Sequence, residues 1–411
     1  MTIKQDLQHQ FEKLRRLYPV FTYHSYHFNI QNSNTLVMNF DFRIGDSYQF
    51  TPTMTLDLKS QGKTPFDAST LDGLVFHIGL VEMISYWKLV CSPIILIPRY
   101  ELSDLQQQFW KKLFWKGLGE FRYQNSIEID ADNFVKFRFA DDSISILSID
   151  YPEIEESNRV IVPIGGGKDS VVTLEQLSQN KMPIPFIINP RGANIDCAHI
   201  AGYEDDHIVT LSRTIDPLLL KLNKEGFLNG HTPFSAMLAF YTLLVGYMTK
   251  TTEIALSNES SANEPTIPNT DINHQYSKSL EFEEDFRDYV EKNMNHITHY
   301  YSHLRAFSEL KIAEMFAQYP QYFSIFRSCN AGNKQNIWCC NCPKCLFAYI
   351  ILSPFIEKEQ LIQIFGENLL EKPSLQVYLD ELTGKSPQKP FECVGTVDEV
   401  NEALLKLKNR S

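Results

Sequence analysis

No apolar run in this sequence reaches the roughly 20 residues that a membrane-spanning helix needs. The two most apolar stretches are 234 to 248, only fifteen residues long, and 71 to 97, interrupted by Asp72, His77, Glu82 and Lys88. Both are expected to be buried helices, and no membrane partner is expected. The opening residues MTIKQDLQHQFEKLRRLYP lack the apolar core and small-residue cleavage site of a signal peptide, so a cytoplasmic chain is expected. Positive charge is also short: 38 basic against 50 acidic side chains give a net charge of -12, and no basic cluster offsets it. Such a balance repels a phosphate backbone and excludes nucleic acid as a partner. Internal repeats and low-complexity tracts are missing, which removes solenoids and propellers. Cysteine is scarce outside one segment, with five of eight between 329 and 345, so a disulfide scaffold is excluded in favour of thiols or a metal.

What is present is an ordinary globular composition, 43% hydrophobic and 21% charged, in a chain of 411 residues, long enough for about two or three domains. Residues 34 to 58 alternate apolar and polar side chains around Gly45-Asp46, which predicts a hairpin. Helical patterns at 74 to 91 and 103 to 117 follow, then strand patterns at 134 to 139 and 143 to 149. These make an N-terminal α+β domain over 1–150. The polar stretch 151 to 158 marks a boundary before the β-branched run RVIVPI. From there, strands near 185 to 189, 207 to 211 and 253 to 257 alternate with helices at 170 to 180, 216 to 225 and 234 to 249. That order predicts an α/β domain over 158–325 built on a doubly wound parallel sheet. Residues 258 to 283 read as a long loop or lid, and 326–411 as a Cys-rich segment with short helices.

Directly after RVIVPI stand Gly165, Gly166, Gly167, Lys168, Asp169 and Ser170, the last of which begins the helical SVVTLEQL. A side-chain-free loop at a helix N-terminus presents successive N–H groups and forms a phosphate cradle. Lys168 adds a cation, Asp169 can hold Mg²⁺, and Ser170 can cap the helix or bond a phosphate oxygen. The kinase-type P-loop does not match, because Asp169 follows Lys168 where that motif has Ser or Thr. The dinucleotide fingerprint also fails, since it demands glycine where Ser170 stands. The loop resembles the Ser-Gly-Gly-x-Asp-Ser signature of PP-loop pyrophosphatases, which split ATP between its α and β phosphates. Gly165 stands where that family usually has Ser.

Cys329, Cys339, Cys342 and Cys345 have the spacing of four thiolates closing one tetrahedral Zn²⁺ site, with Cys340 off that spacing. Four protein ligands leave no position open for water, so a structural zinc is expected. The alternative is a set of unligated buried thiols.

Loop and cysteines together resemble cyano-deazaguanine synthase, a carboxylate-adenylating enzyme, over the middle and late parts of the chain. A closer likeness runs along nearly the whole sequence. The blocks FHIGLVEMISYWKLVCSP (76 to 93), FWKGLGEFRYQN (114 to 125), VPIGGGKDS (162 to 170), LNGHTPFSAMLAF (228 to 240), ALSNESSANEPT (255 to 266), CCNCPKCLFAYIILSPF (339 to 355) and KPFECVGT (389 to 396) resemble the MurL family of UDP-N-acetylmuramoyl-L-alanyl-L-glutamate epimerases. The resemblance implies a PP-loop fold and a reaction in which ATP adenylates the terminal L-Glu of UDP-MurNAc-L-Ala-L-Glu. The residue returns as D-Glu with release of AMP and diphosphate. Activation is needed because an enolate beside a carboxylate would carry two negative charges, whereas a neutral acyl-adenylate delocalises the carbanion.

On this reading Gly165 to Ser170 bind ATP and Mg²⁺, and Lys168 and Asp169 act in catalysis. Asn258, Glu259, Ser261, Asn263 and Glu264 follow a strand end where ligands gather in open α/β sheets, the alternative being a solvated loop. Proton transfer has three candidates, Cys393, His231 and Glu392. Cys393 precedes a capping box at Thr396–Glu399 that puts a positive helix end beside it, the alternative being a buried structural thiol. His231 meets substrate or satisfies a loop carbonyl. His77, Glu82, Tyr86, Lys88, Glu120 and Arg122 are candidates for the UDP-sugar peptide, or ordinary polar helix positions. A ligase passing the activated acyl group to an amine, and a nucleotide sensor without turnover, are the competing classes. Oligomeric state is not readable.

Overall fold

In the hairpin region the alternate residues Leu36, Met38, Phe40, Phe42 and Ile44 are all buried, as an amphipathic strand requires. This computed structural model describes residues 3–410 except 33, 62–65, 146–156, 268, 295–297 and 387. Strand β1 (Val20–Gln31) precedes the hairpin strands β2 (Thr35–Ile44), β3 (Tyr48–Phe50) and β4 (Thr53–Asp57). β2 pairs antiparallel with β3 and β4, Phe42 facing Phe50 and Thr35 facing Asp57. β1 also pairs antiparallel with β2, but its register shifts between Tyr23 and Ser25. That bulge breaks the alternation of buried residues and hides the strand from a period-two reading. β5 (Ile94–Ile97) and β6 (Lys136–Phe139) add parallel strands, giving the order β4-β2-β1-β5-β6. The expected strand at 143 to 149 is described only as far as Ser145, and 151–156 of the boundary stretch lie outside the described residues.

This sheet belongs to a unit made of residues 1–156, 211–252 and 271–298. Its helix Ala68–Glu82 is apolar on every face, and twelve of its residues are buried. The helix seats on β1 through Gly79, where an added Cβ would lie 1.8 Å from the Tyr23 hydroxyl oxygen. The helix Phe234–Thr249, which sequence alternation assigns to the α/β run, packs here against Ala68–Glu82. Among the described residues, one helical stretch, Ala68–Trp87, is long and apolar enough to cross a bilayer, and 83% of its apolar window is buried inside the fold.

The second unit comprises residues 157–210, 253–270 and 299–411. Its strands β7 (Arg159–Pro163), β8 (Met182–Ile188), β9 (Glu253–Leu256) and β10 (His299–Ser302) are parallel in the order β10-β9-β7-β8. The chain winds from β7 toward β8 and later returns to the other side of β7, so the winding reverses between β7 and β9. In open α/β sheets, ligands collect at the carboxyl ends of strands at such a reversal. The expected mixed α/β architecture with a parallel sheet is present. The late helices Pro343–Leu352 and Val397–Arg410 join the same apolar core as β7 and the helix Lys168–Leu177.

Candidate functional site

The segment Gly165 to Ser170 occupies the turn from β7 into the helix Lys168–Leu177, at the winding reversal. Gly166 has φ +84°, a conformation that costs any other L-residue about 1–2 kcal/mol. A Cβ there would sit 2.7 Å from Asn194 N and 2.8 Å from Ala193 C, so glycine is required for space as well. The Gly166 carbonyl accepts the Arg327 N–H at 2.8 Å, which pins the loop. Ser170 uses its hydroxyl to donate to the Gly167 carbonyl at 3.0 Å.

Lys168 is buried and paired with Asp169 and with Glu309. Burial opposes its charge, but the two carboxylates more than offset this and hold its pKa above the ordinary value. Glu309 opens the helix Glu309–Phe316 and is itself buried. Burial pushes its carboxyl up to about 7, Asp169 and Glu259 push in the same direction, and Lys168 and Lys344 pull back. Two carboxyl groups, Asp169 and Glu309, therefore act on one buried ammonium while Glu259 acts on Glu309, a set of oxygen donors suited to a hard divalent cation such as Mg²⁺.

Sequence reading missed Glu309 because SELKI carries no motif. Its spatial neighbours, however, come from segments already singled out. Glu399 completes the expected capping box, accepting from Thr396 N at 2.7 Å while Thr396 Oγ1 accepts from Glu399 N at 3.0 Å. Its second oxygen accepts the Glu309 N–H at 2.6 Å. A Cβ on Gly395 would lie 3.2 Å from Glu309 Cγ, so the segment that follows Cys393 runs against Glu309. Lys344 donates to the Cys393 carbonyl. Cys393 is thus tied by its backbone to the neighbourhood of Lys168, Asp169 and Glu309. Glu392 instead accepts from Asn330 Nδ2 at 2.6 Å.

After β9, Asn258 donates to Ser302 Oγ at 3.0 Å, and Glu259 and Ser261 are buried rather than solvated. Among the described residues the buried Ser257 Oγ and Ser261 Oγ have no hydrogen-bond partner. A buried hydroxyl without a partner costs about 1–3 kcal/mol and marks a place where a ligand or water belongs. Glu264 pairs with Lys389 at 3.2 Å.

Cys329, Cys339, Cys342 and Cys345 converge as their spacing implied. Their sulfurs are 3.9 Å (Cys329 to Cys342), 3.7 Å (Cys339 to Cys345) and 3.5 Å (Cys342 to Cys345) apart. Four sulfurs about 2.3 Å from one zinc in a tetrahedron are about 3.8 Å apart, and a disulfide is only about 2.05 Å long. The cluster therefore fits a metal as it stands. Cys342 is the N-cap of the helix Pro343–Leu352. Its hydrogen bond with the Cys345 thiol, followed by the Cys345 N–H, holds it well below the usual thiol value. Cys340 turns away and donates to the Phe365 carbonyl at 2.9 Å.

His231 lies in the first unit, half-buried beside Glu120 and His274. Burial first, then His274, Lys88 and Lys278, push its pKa down to about 3, so its imidazole is neutral. The other candidates of that unit are mostly committed to its interior. His77 donates from Nδ1 to the Gly73 carbonyl at 2.7 Å, which can only accept, so Nε2 takes the Tyr289 hydroxyl proton at 2.8 Å. Glu82 is fully buried against Arg213, at 2.8 Å on both oxygens. The Tyr86 hydroxyl accepts from Asp216 N at 3.2 Å, and the Arg122 guanidinium lies 3.3 Å from the Trp115 ring centroid.

Two family models match the chain, one described as the MurL N-terminal domain over residues 12–303 and one as the MurL C-terminal domain over 324–411. Relatives named UDP-N-acetyl-alpha-D-muramoyl-L-alanyl-L-glutamate epimerase occur in several bacteria. The protein from a Micromonospora species is 31% identical over 96% of this chain and 87% of its own length. That from Salinispora tropica is 32% identical over 97% and 87%. That from Xanthomonas oryzae pv. oryzae is 32% identical over 81% and 74%. No solved structure matches the chain.

Proposed function

The chain belongs to the MurL family, and from that premise we propose that it is a cytoplasmic, ATP-dependent epimerase. It converts the terminal L-Glu of UDP-MurNAc-L-Ala-L-Glu to D-Glu through an acyl-adenylate, diphosphate leaving as the adenylate forms and AMP leaving when water cleaves the epimerised mixed anhydride. The observation that carries the proposal is the likeness along both halves of the chain to proteins named as epimerases of UDP-N-acetyl-alpha-D-muramoyl-L-alanyl-L-glutamate.

The chemistry is supported by the turn at Gly165 to Ser170, which we read as a PP-loop binding the phosphates of ATP. Lys168 stabilises charge on the α-phosphate as the mixed anhydride forms, since a preoriented ammonium in a buried setting is worth most where charge develops. Asp169 and Glu309, with Glu259 nearby, would hold Mg²⁺, which would supply positive charge to offset that of the diphosphate. Asn258, Glu259 and Ser261 contact the nucleotide, and the unpartnered hydroxyls of Ser257 and Ser261 support this. Once the carboxylate is carried as the mixed anhydride, its Cα proton becomes removable at moderate cost. Cys393, tethered through Lys344 to the loop's surroundings, is the proposed proton-transfer residue. The four cysteines hold a structural Zn²⁺ that fixes the segment from Cys329 to the helix Pro343–Leu352.

The test is to incubate the protein with ATP, Mg²⁺ and UDP-MurNAc-L-Ala-L-Glu, then follow AMP, diphosphate and the chirality of the terminal glutamate. All three products are expected, and Lys168→Ala should abolish AMP formation. AMP without D-Glu points to a ligase, and no AMP at all overturns the enzymatic proposal.

A further inference from the structure

Three side chains far apart in sequence meet in the first unit. Glu120, on the short helix Gly119–Gln124, is buried, and its Oε1 accepts from Gln124 Nε2 at 2.7 Å. Its Oε2 faces two imidazoles, in contact with His274 Nδ1 and 3.5 Å from His231 Nδ1. The two rings lie 4.5 Å apart by centroid and are tilted by 50°. One donor atom from each residue falls within 4.8 Å of the other two.

The surroundings hold this arrangement. Lys88 Nζ donates to the Gly230 carbonyl and to the Thr232 side-chain Oγ1 (2.6 Å), holding the residues on both sides of His231. Asn125 Nδ2 donates to the Asn229 carbonyl at 3.0 Å, fixing the entry to the same loop. On the other side, Asn273 Oδ1 accepts the Gln275 N–H at 2.7 Å and shapes the turn that carries His274. The ammonium of Lys88 is thus spent on oxygen acceptors of the loop.

A separation of 3.5 Å is long for an N–H···O hydrogen bond. It is close to the roughly 3.4 Å kept by two nitrogen or oxygen ligands about 2.05 Å from one tetrahedral ion. We propose that Glu120, His231 and His274 form a second metal site, separate from the four cysteines. It binds a divalent transition ion of the zinc class through two imidazole Nδ1 atoms and one carboxylate oxygen. Binding exchanges the His274–Glu120 hydrogen bond for bonds to the ion, while Gln124 orients the carboxylate from outside, as partners of metal ligands commonly do. Mixed nitrogen and oxygen donors select the zinc class over Mg²⁺ or Ca²⁺, and three protein ligands leave at least one position open. The inference does not depend on the nucleotide chemistry.

The test uses the full chain loaded with Zn²⁺ and, separately, Co²⁺. About two Zn²⁺ per chain are expected, falling to about one in Cys342→Ser and to about one in His274→Ala or Glu120→Gln. Gln124→Ala should weaken the second site by roughly 10–100-fold without removing it. In Co²⁺ titrations, thiolate charge-transfer absorption reports the cysteines, whereas the second site adds visible d–d absorption without it and survives Cys342→Ser. If His274→Ala or Cys342→Ser fails to fold, the wild-type titration decides, in two spectrally distinct phases or in one. Zinc that is removed entirely by Cys342→Ser, unchanged by His274→Ala, or a single thiolate phase with cobalt, overturns the site and leaves a hydrogen-bonded carboxylate and imidazole.

Discussion

Gly166→Ala isolates what the loop geometry demands. At φ +84° the added methyl incurs about 1–2 kcal/mol of left-handed strain. It also meets Asn194 N at 2.7 Å, Ala193 C at 2.8 Å and Ala193 Cβ at 3.0 Å. These are mostly backbone atoms, so relief requires moving the helix Ala193–Ile200 or the loop, and the loop is held by Arg327 N at 2.8 Å. Overpacking of this kind costs about 1–3 kcal/mol, for a total of about 2–5 kcal/mol. Gly165→Ala is the control: no atom lies within 4 Å of its Cβ and its φ lies outside the left-handed region, so it should cost less than about 0.5 kcal/mol. Urea unfolding should rank wild type with Gly165→Ala above Gly166→Ala in stability, and calorimetric titration with ATP and Mg²⁺ should find weaker binding in Gly166→Ala than in wild type. Equal behaviour of the two alanine variants, or a Gly166→Ala protein within about 0.5 kcal/mol of wild type, refutes the reasoning.

Two further outcomes follow from buried polar groups of the first unit. Burial holds His77 down to about 4 against an ordinary 6.5, so between these values the unfolded chain binds the proton and the folded one does not. Stability should therefore fall as pH drops through that window, by about 3 kcal/mol from this residue at about 1.4 kcal/mol per pH unit; His77→Asn, followed by urea unfolding from pH 7 to 4, should lose that part of the slope. Arg213→Met strands the fully buried Glu82 and should destabilise by about 3–5 kcal/mol, with Glu82→Gln in the same chain restoring most of it, measured by a double-mutant cycle.

Much of the candidate site was legible because its signals are local. Three glycines between a β-branched run and a helical pattern, a C-x-x-C pair beginning a helix, and Thr396 three residues before Glu399 each report a backbone shape made by neighbours in sequence. Glu309 left no such trace, since its significance lies in Lys168 and Glu399, which reach it from distant segments. His231 and Glu120 were singled out separately and His274 was not, because the three stand more than 40 residues apart and only the fold brings them together.

The sequence by itself determined the family and the candidate loop and cysteine cluster. Those depend on residue types in fixed short spacings: Gly165 to Ser170, Cys339 to Cys345, and the blocks between them. Tertiary structure alone decided that β9 and β7 are neighbours with the winding reversing between them, and that the helix Phe234–Thr249 packs on Ala68–Glu82. It also decided that Asp169 and Glu309 meet on one buried lysine, with Glu259 acting on Glu309. Periodicity says only that a face must be buried. Which distant surface buries it is set by the free energy of the whole packed core, and no local window of sequence contains that sum.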